Sequence, residues 1–392
     1  MTSSMEAILN LLPRIRDEAR GMQDIVLANL VAIGEVPAPY QHEESRVCMM
    51  LERFNECGLQ NCSTDATGNG LAILQGTEGK SNVFLFSNVD TLADEHAVPS
   101  LAFRKDEIVG PFIGDNSMAL AAMASLPILL ERLQIRLKAN IIFMGAVRML
   151  GHGNLEGLSG FLNNSGMPIR HGISLESVQL GRLNYACLGQ LLCKIVVRLP
   201  ENYNWVKFGT TGAIISMNDI ISRINKIPLP RRPLTTIVFG MIRGGVSYQN
   251  IARETVLSFE VRSESADLLN QVAQQIKDIT EDVAANSGVT VKFDIFAHRA
   301  PGGLDISHPC VKQTRAIHTA LGLQSQLYST TFALASLIKK NIPSLVLGLT
   351  TGTRRDDLPE MEEVVAIEPM WTGFAQLVGV LLAIDGGFCD GA

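Results

Sequence analysis

Nothing in this chain is spaced like a zinc finger or a disulfide framework. Its seven cysteines, at 48, 57, 62, 187, 193, 310 and 389, are odd in number and scattered, with no Cys-x-x-Cys pair. That pattern predicts buried, reduced thiols. Basic charge is in deficit too: 33 Lys and Arg against 39 Asp and Glu give a net charge of −6. A nucleic-acid or anionic-membrane surface is therefore not expected. No strand-Gly-x-Gly-x-x-Gly or Walker pattern occurs, so no nucleotide site is read. No apolar run is seen to approach the roughly 20 residues that span a bilayer. The N-terminal "MTSSMEAILNLLPRIRDEAR" carries acidic residues and Pro13 where a signal peptide needs a basic segment and an unbroken apolar core. The expectation is a mature cytoplasmic protein with neither nucleic acid nor membrane as partner.

What the chain does have is core material: 46% of its 392 residues are hydrophobic and 18% charged, enough for two domains or one large one. The runs "GLAILQG", "NVFLFSNVD" and "NIIFMGA" are short and β-rich, and "ALAAMASLPILLERL" between the last two has helical character. Fully apolar strands alternating with helices predict a doubly wound, mostly parallel α/β sheet. From "LLCKIVVRL" to "VTVKFDIF" the order becomes β-α-β-β-α-β, a ferredoxin-like antiparallel module. The first pattern then returns with "VKQTRAIHTALG" and "SLVLGL". The predicted domains are 1–188 with 303–392, and an inserted 189–302.

Within this order lie "FLFSNVDT", "GPFIGDNSMALAAMASL", "VRMLGHGNLEG", "ISLESVQLGRL", "RGGVSYQNIA", "EVRS", "YSTTFALAS" and "GTRRDDLPEMEE". Together they resemble the co-catalytic zinc peptidases and deacylases that include peptidase T, acetylornithine deacetylase and aminoacylase (peptidase family M twenty). The resemblance covers nearly the whole chain. It implies a two-zinc site at the sheet edge, a Glu acting as general base, and an inserted lid that also dimerises. Position by position, however, the family's metal-binding His falls on Asn88, and its Glu-Glu pair falls on Met149 and Leu150. Asp115 matches the bridging carboxylate, Glu176 the remaining carboxylate ligand, and Asp90 the residue that orients the lost His. The terminal His falls on or near Asp356, the lid His on Tyr203, and a frequent Asp on Thr331. Asn250 and Arg262 match substrate-holding positions; equally, Asn250 could cap its turn and Arg262 could pair with a lid carboxylate. The resemblance also implies a cis peptide between Asp115 and Asn116.

Leucine has no lone pair, and a thioether is a poor zinc ligand without thiolate company. The expected function is therefore a metallopeptidase-like pseudoenzyme. It would bind a peptide or N-acyl amino acid ligand in the cleft between its domains and form a homodimer through the lid. No catalytic residue, metal or cofactor is expected, and any metal would be Mg²⁺ or Ca²⁺ before Zn²⁺. Two readings stay open beside this one: new chemistry at an oxygen-rich or metal-free site of Asn88, Asp115, Glu176 and Asp356, and residual hydrolase activity. If these acids converge, a guanidinium from Arg148, Arg354 or Arg355 should neutralise them, Arg148 first. His152, in a Gly turn, reads as a solvated loop residue, and His308 and His318 are wrongly spaced for a joint ligand role.

Overall fold

A computed structural model describes residues 4–92, 99–150, 154–201, 212–329, 334–353 and 362–391. The chain divides into two compact units, Met1–Ala186 with Gly303–Ala392, and Cys187–Gly302.

The larger unit is built on an eight-stranded sheet. Its strand order is Gln60–Thr64, Gly70–Leu74, Asn140–Ala146, Asn82–Asn88, His171–Val178, Ser344–Thr350, Arg182–Asn184 and Gln326–Leu327. The four central strands, from Asn140–Ala146 to Ser344–Thr350, run parallel, and the flanking pairs are mostly antiparallel. Every residue of "NVFLFSN" and "SLVLGLT" is buried, because helices cover both faces of this sheet. Register brings the strand ends level. Asn88 partners Ala146, and two residues beyond the Phe86–Ser174 partners come Asn88, the last residue of its strand, and Glu176, still within its own. A smaller sheet, ordered Gly352–Thr353, Glu362–Ala366, Glu107–Pro111 and Ala102–Phe103, carries the chain toward the Asp115 turn.

The helical run Ile113–Arg132 corrects the reading that no apolar stretch is of spanning length. At 20 residues and a mean hydropathy of 1.4 it is long and apolar enough by composition to cross a bilayer. Yet 89% of its apolar window is buried inside the protein, so it is a core helix. Its first turn is irregular, and the Asp115–Asn116 peptide bond is cis, as the resemblance implied. All seven cysteines are free: Cys187, Cys193, Cys310 and Cys389 are buried, Cys57 and Cys62 partly so, and Cys48 is exposed.

The second unit has the predicted β-α-β-β-α-β order. Its sheet, ordered Thr235–Gly244, Glu254–Ser263, Gly189–Arg198 and Thr290–Arg299, is antiparallel throughout. Leu191, Cys193, Ile195 and Val197 alternate with more exposed residues and pack into one core with Met217 and Ile220 of helix Ala213–Ile224 and Leu269 and Ile276 of helix Ala266–Ser287. The longer helix starts on Ser265, whose side chain accepts from the Leu268 N–H. It stops at Gly288, whose φ of 63° suits glycine alone at no steric cost. Where the chain leaves the larger unit and re-enters it, Tyr185 O accepts from Leu304 N at 2.8 Å. The approach is so close that a Cβ on Gly303 would lie 2.4 Å from the Ala186 Cα.

Candidate functional site

Four chain segments of the larger unit supply the predicted residues: the ends of the Asn82–Asn88 and Asn140–Ala146 strands, the turn at Asp115, and the strand His171–Val178. Asn116, 2% exposed, is their hub. Its Nδ2 donates to Asn88 Oδ1 at 2.5 Å and to Glu176 Oε2 at 2.8 Å, while its Oδ1 accepts from Ser177 N at 3.0 Å. Asn88, Asp115 and Glu176 therefore do come together. Asn116 itself was not singled out from the sequence, since an amide following an acid has no motif of its own.

Charge at this hub is unbalanced. Burial pushes the Asp115 carboxyl above its ordinary range, and the Asn88 amide and Arg182 guanidinium pull it back. Burial also pushes Glu176 up, the Asp115 charge adds to that, and Arg182, Asn116 and Ser174 oppose it. Arg182 Nη1 lies 3.9 Å from Glu176 Oε2. Its Nε donates to Tyr328 Oη at 3.0 Å, its guanidinium carbon lies 5.6 Å from that ring's centroid, and Tyr328 Oη donates to Gln179 Oε1. Among the described residues the arginine beside Glu176 is thus Arg182, not Arg148. Two left-handed residues, Gln179 at φ 64° and Gly181 at φ 89°, turn the chain back after Glu176, and that return places Arg182 beside the acid. "GRL" was in view in the sequence, but only the return turn gives it this position.

Arg148 does something else. Its backbone is left-handed, φ 50°, and its side chain pairs with Glu156 at 3.0 Å and donates to Thr67 O. The Arg148 N–H donates to Glu43 Oε1 at 3.1 Å. The expectation that it neutralises Asp115 or Glu176 is corrected on this geometry: the backbone turns the side chain away, toward its own loop. Asp90 is also corrected in role. Its Oδ2 accepts from Leu150 N at 2.7 Å, so the carboxylate fixes the backbone of the Met149-Leu150 turn rather than side chain 88, whose Nδ2 reaches only the Asp90 carbonyl. Burial, then the Glu43 charge, push the Asp90 carboxyl up to about 7, against the Leu150 N–H. Its Oδ1 has no hydrogen-bond partner among the described residues. Met149 is 2% exposed and Leu150 half-buried, hydrocarbon and thioether where the resemblance implies two carboxylates.

Asn250 and Arg262 lie in the second unit. Asn250 donates to Ser247 Oγ at 2.9 Å within its own turn, and Arg262 pairs with Glu260 on the same strand. Both local contacts match the plainer readings set beside the ligand roles. Tyr203, Asp356, Arg354, Arg355, His152 and Thr331 lie outside the described residues. His308 caps a helix, its Nδ1 accepting from Cys310 N, and His318 is buried against Ser325.

A pair of metal ions needs several imidazole and carboxylate donors. Among the described residues no group of three or more His, Cys, Asp and Glu could hold a metal ion. Among the described residues, the donors at the hub are two carboxylates and an Asn88 oxygen already engaged by Asn116, fewer than two zinc ions need.

Residues 190–287 match the family described as the peptidase dimerisation domain. The uncharacterised protein YqjE of Bacillus subtilis is 23% identical over 293 residues, covering 69% of this chain and 74% of that protein. A tripeptidase from Staphylococcus aureus has the same fold, with a TM-score of 0.76 at 17% identity over 93% of this chain and 98% of that one. YXEP of Bacillus subtilis, a dinuclear metal-binding peptidase, superposes with a TM-score of 0.64 at 14% identity over 93% of this chain and 99% of that one. This last likeness corrects the cofactor expectation of none, with Mg²⁺ or Ca²⁺ ahead of Zn²⁺. A protein built on the same fold does hold two metal ions, so absence of a cofactor is no longer the expectation for this chain.

Proposed function

From a chain with the fold of peptidase family M twenty and that family's dimerisation domain at 190–287, we propose a homologue that binds a peptide or N-acyl amino acid ligand without hydrolysing it. One observation carries this: Met149 and Leu150 stand, held by Asp90, where the resemblance puts the base and a ligand carboxylate. Amide hydrolysis needs a group that takes a proton from the attacking water within hydrogen-bond reach of it. A thioether and an isobutyl group cannot take it. The second unit would join two copies in a cytoplasmic homodimer.

The test uses the purified full chain with Zn²⁺, Mn²⁺ or Co²⁺ supplied in turn. Dipeptides, tripeptides and N-acyl amino acids are screened for thermal stabilisation, and each mixture is then analysed by mass spectrometry. Stabilisation with the ligand recovered intact supports the proposal. Metal-dependent release of free amino acid refutes it in favour of a hydrolase. Turnover that survives chelation refutes it in favour of acid–base chemistry at Asp115 and Glu176.

A further inference from the structure

A cavity of about 320 Å³ opens in the larger unit, at the opposite end of the Asn140–Ala146 strand from the Asn116 hub. Its floor includes Leu74, Leu130, Ile135 and Ile141, and Glu131 and Arg136 line it as well. Leu130 and Ile141 are 3% and 1% exposed, so the floor is part of the hydrophobic core. The strand Asn140–Ala146 separates this cavity from the hub by about 20 Å at ~3.3 Å per residue.

The two charges identify the occupant. Both Glu131 and Arg136 are exposed, and neither has an ion-pair partner among the described residues, although they share one cavity. A carboxylate and a guanidinium that line one cavity with an apolar floor match a molecule with both charges at one end and a hydrocarbon at the other. The volume lies at the small end of the roughly 300–1,000 Å³ usual for ligand sites, which suits a single amino acid better than a peptide. We propose that this cavity binds a free apolar L-α-amino acid. Its ammonium meets Glu131, its carboxylate meets Arg136 as a guanidinium–carboxylate pair, and its side chain covers Leu130 and Ile135. This site is separate from the one treated above and does not depend on how that one works.

Calorimetric titration of the full-length protein with L-leucine and L-phenylalanine tests the proposal, with glycine, L-leucinamide and N-acetyl-L-leucine as controls. Saturable binding of the two apolar amino acids is expected. L-leucinamide should bind at least ten-fold more weakly, because a lost charged hydrogen bond costs about that much, and any binding of N-acetyl-L-leucine, which belongs to the site proposed above, should be unmoved by Glu131→Gln and Arg136→Gln. Glu131→Gln and Arg136→Gln alter exposed side chains, so folding is retained, and each should weaken L-leucine ten-fold or more. Arg262→Gln should leave that binding unchanged. No binding at millimolar concentration would overturn the proposal. So would L-leucine binding that survives both rim substitutions, or L-leucine binding lost in Arg262→Gln alone, which would place the amino acid elsewhere.

Discussion

Replacing Arg46 by methionine removes a guanidinium that is 1% exposed while keeping much of its hydrocarbon length. Its Nε donates to Val36 O at 2.7 Å, Nη2 to Gly34 O at 3.2 Å, and Nη1 to Val89 O at 3.3 Å. Burial lowers its pKa to about 10, with the Asp90 charge acting in the opposite sense. Arg46→Met therefore leaves three carbonyls without this donor and removes a compensating charge from beside a buried acid. An unsatisfied buried acceptor costs about 1–3 kcal/mol, and breaking a buried charged network about 3–5 kcal/mol. Water entry offsets part of the sum, so a loss of about 3–5 kcal/mol is expected, a large part of a typical stability of about 5–15 kcal/mol. Urea unfolding followed by far-ultraviolet circular dichroism measures it. Arg46→Lys, which keeps the charge but cannot span all three carbonyls, should recover about half. A loss below about 1 kcal/mol for methionine would show that these carbonyls find other partners, and that Arg46 does not hold the segment leading to Asp90.

Three further outcomes follow from the same geometry. Burial lowers the His318 pKa from 6.5 to about 4, so between those values the unfolded chain binds the extra proton. Its contribution is full above pH ~6.5 and is lost toward pH ~4, up to about 3 kcal/mol; Asp90, raised to about 7, has the opposite slope, so urea titrations of wild type and His318→Asn are compared at each pH. Gly157→Ala would put a Cβ 2.2 Å from Val147 O and 2.4 Å from Asn69 Oδ1, so a loss of about 2–3 kcal/mol should appear as a lower melting temperature. For the proposed homodimer, Ile242→Lys places a charge on a residue 56% exposed on the edge strand Thr235–Gly244, and sedimentation should show a monomer that melts within a few degrees of wild type.

The elements with the plainest periodicity are the most legible. Alternation in "LLCKIVVRL" and its partners is visible because one face of that sheet packs on helices and the other does not. The unbroken apolar "NVFLFSN" marked a strand buried on both sides. The site was legible only as far as identity at a position carries it. Met149, Leu150 and Asn88 could be named as departures from the resemblance without coordinates. What they touch could not be, because contacts there depend on turns. Arg148 and Arg182 are chemically the same residue, each near a relevant segment, and a left-handed backbone at Arg148 and the Gln179–Gly181 return decide which one meets Glu176. The length of the Ile113–Arg132 run does not show in the sequence, because its irregular first turn is polar.

The closeness of Tyr185–Ala186 to Gly303–Leu304 bears on how such a chain can be rearranged. A loop's closure entropy grows only as the logarithm of its length, and here both ends are already pinned by the larger unit itself. Residues 187–302 are thus a cassette. In ring-closure terms, exchanging them for a linker of two or three residues, or for another module with neighbouring termini, leaves the larger unit's own chain path almost unchanged. Natural or designed recombination at this junction therefore has little backbone geometry to overcome.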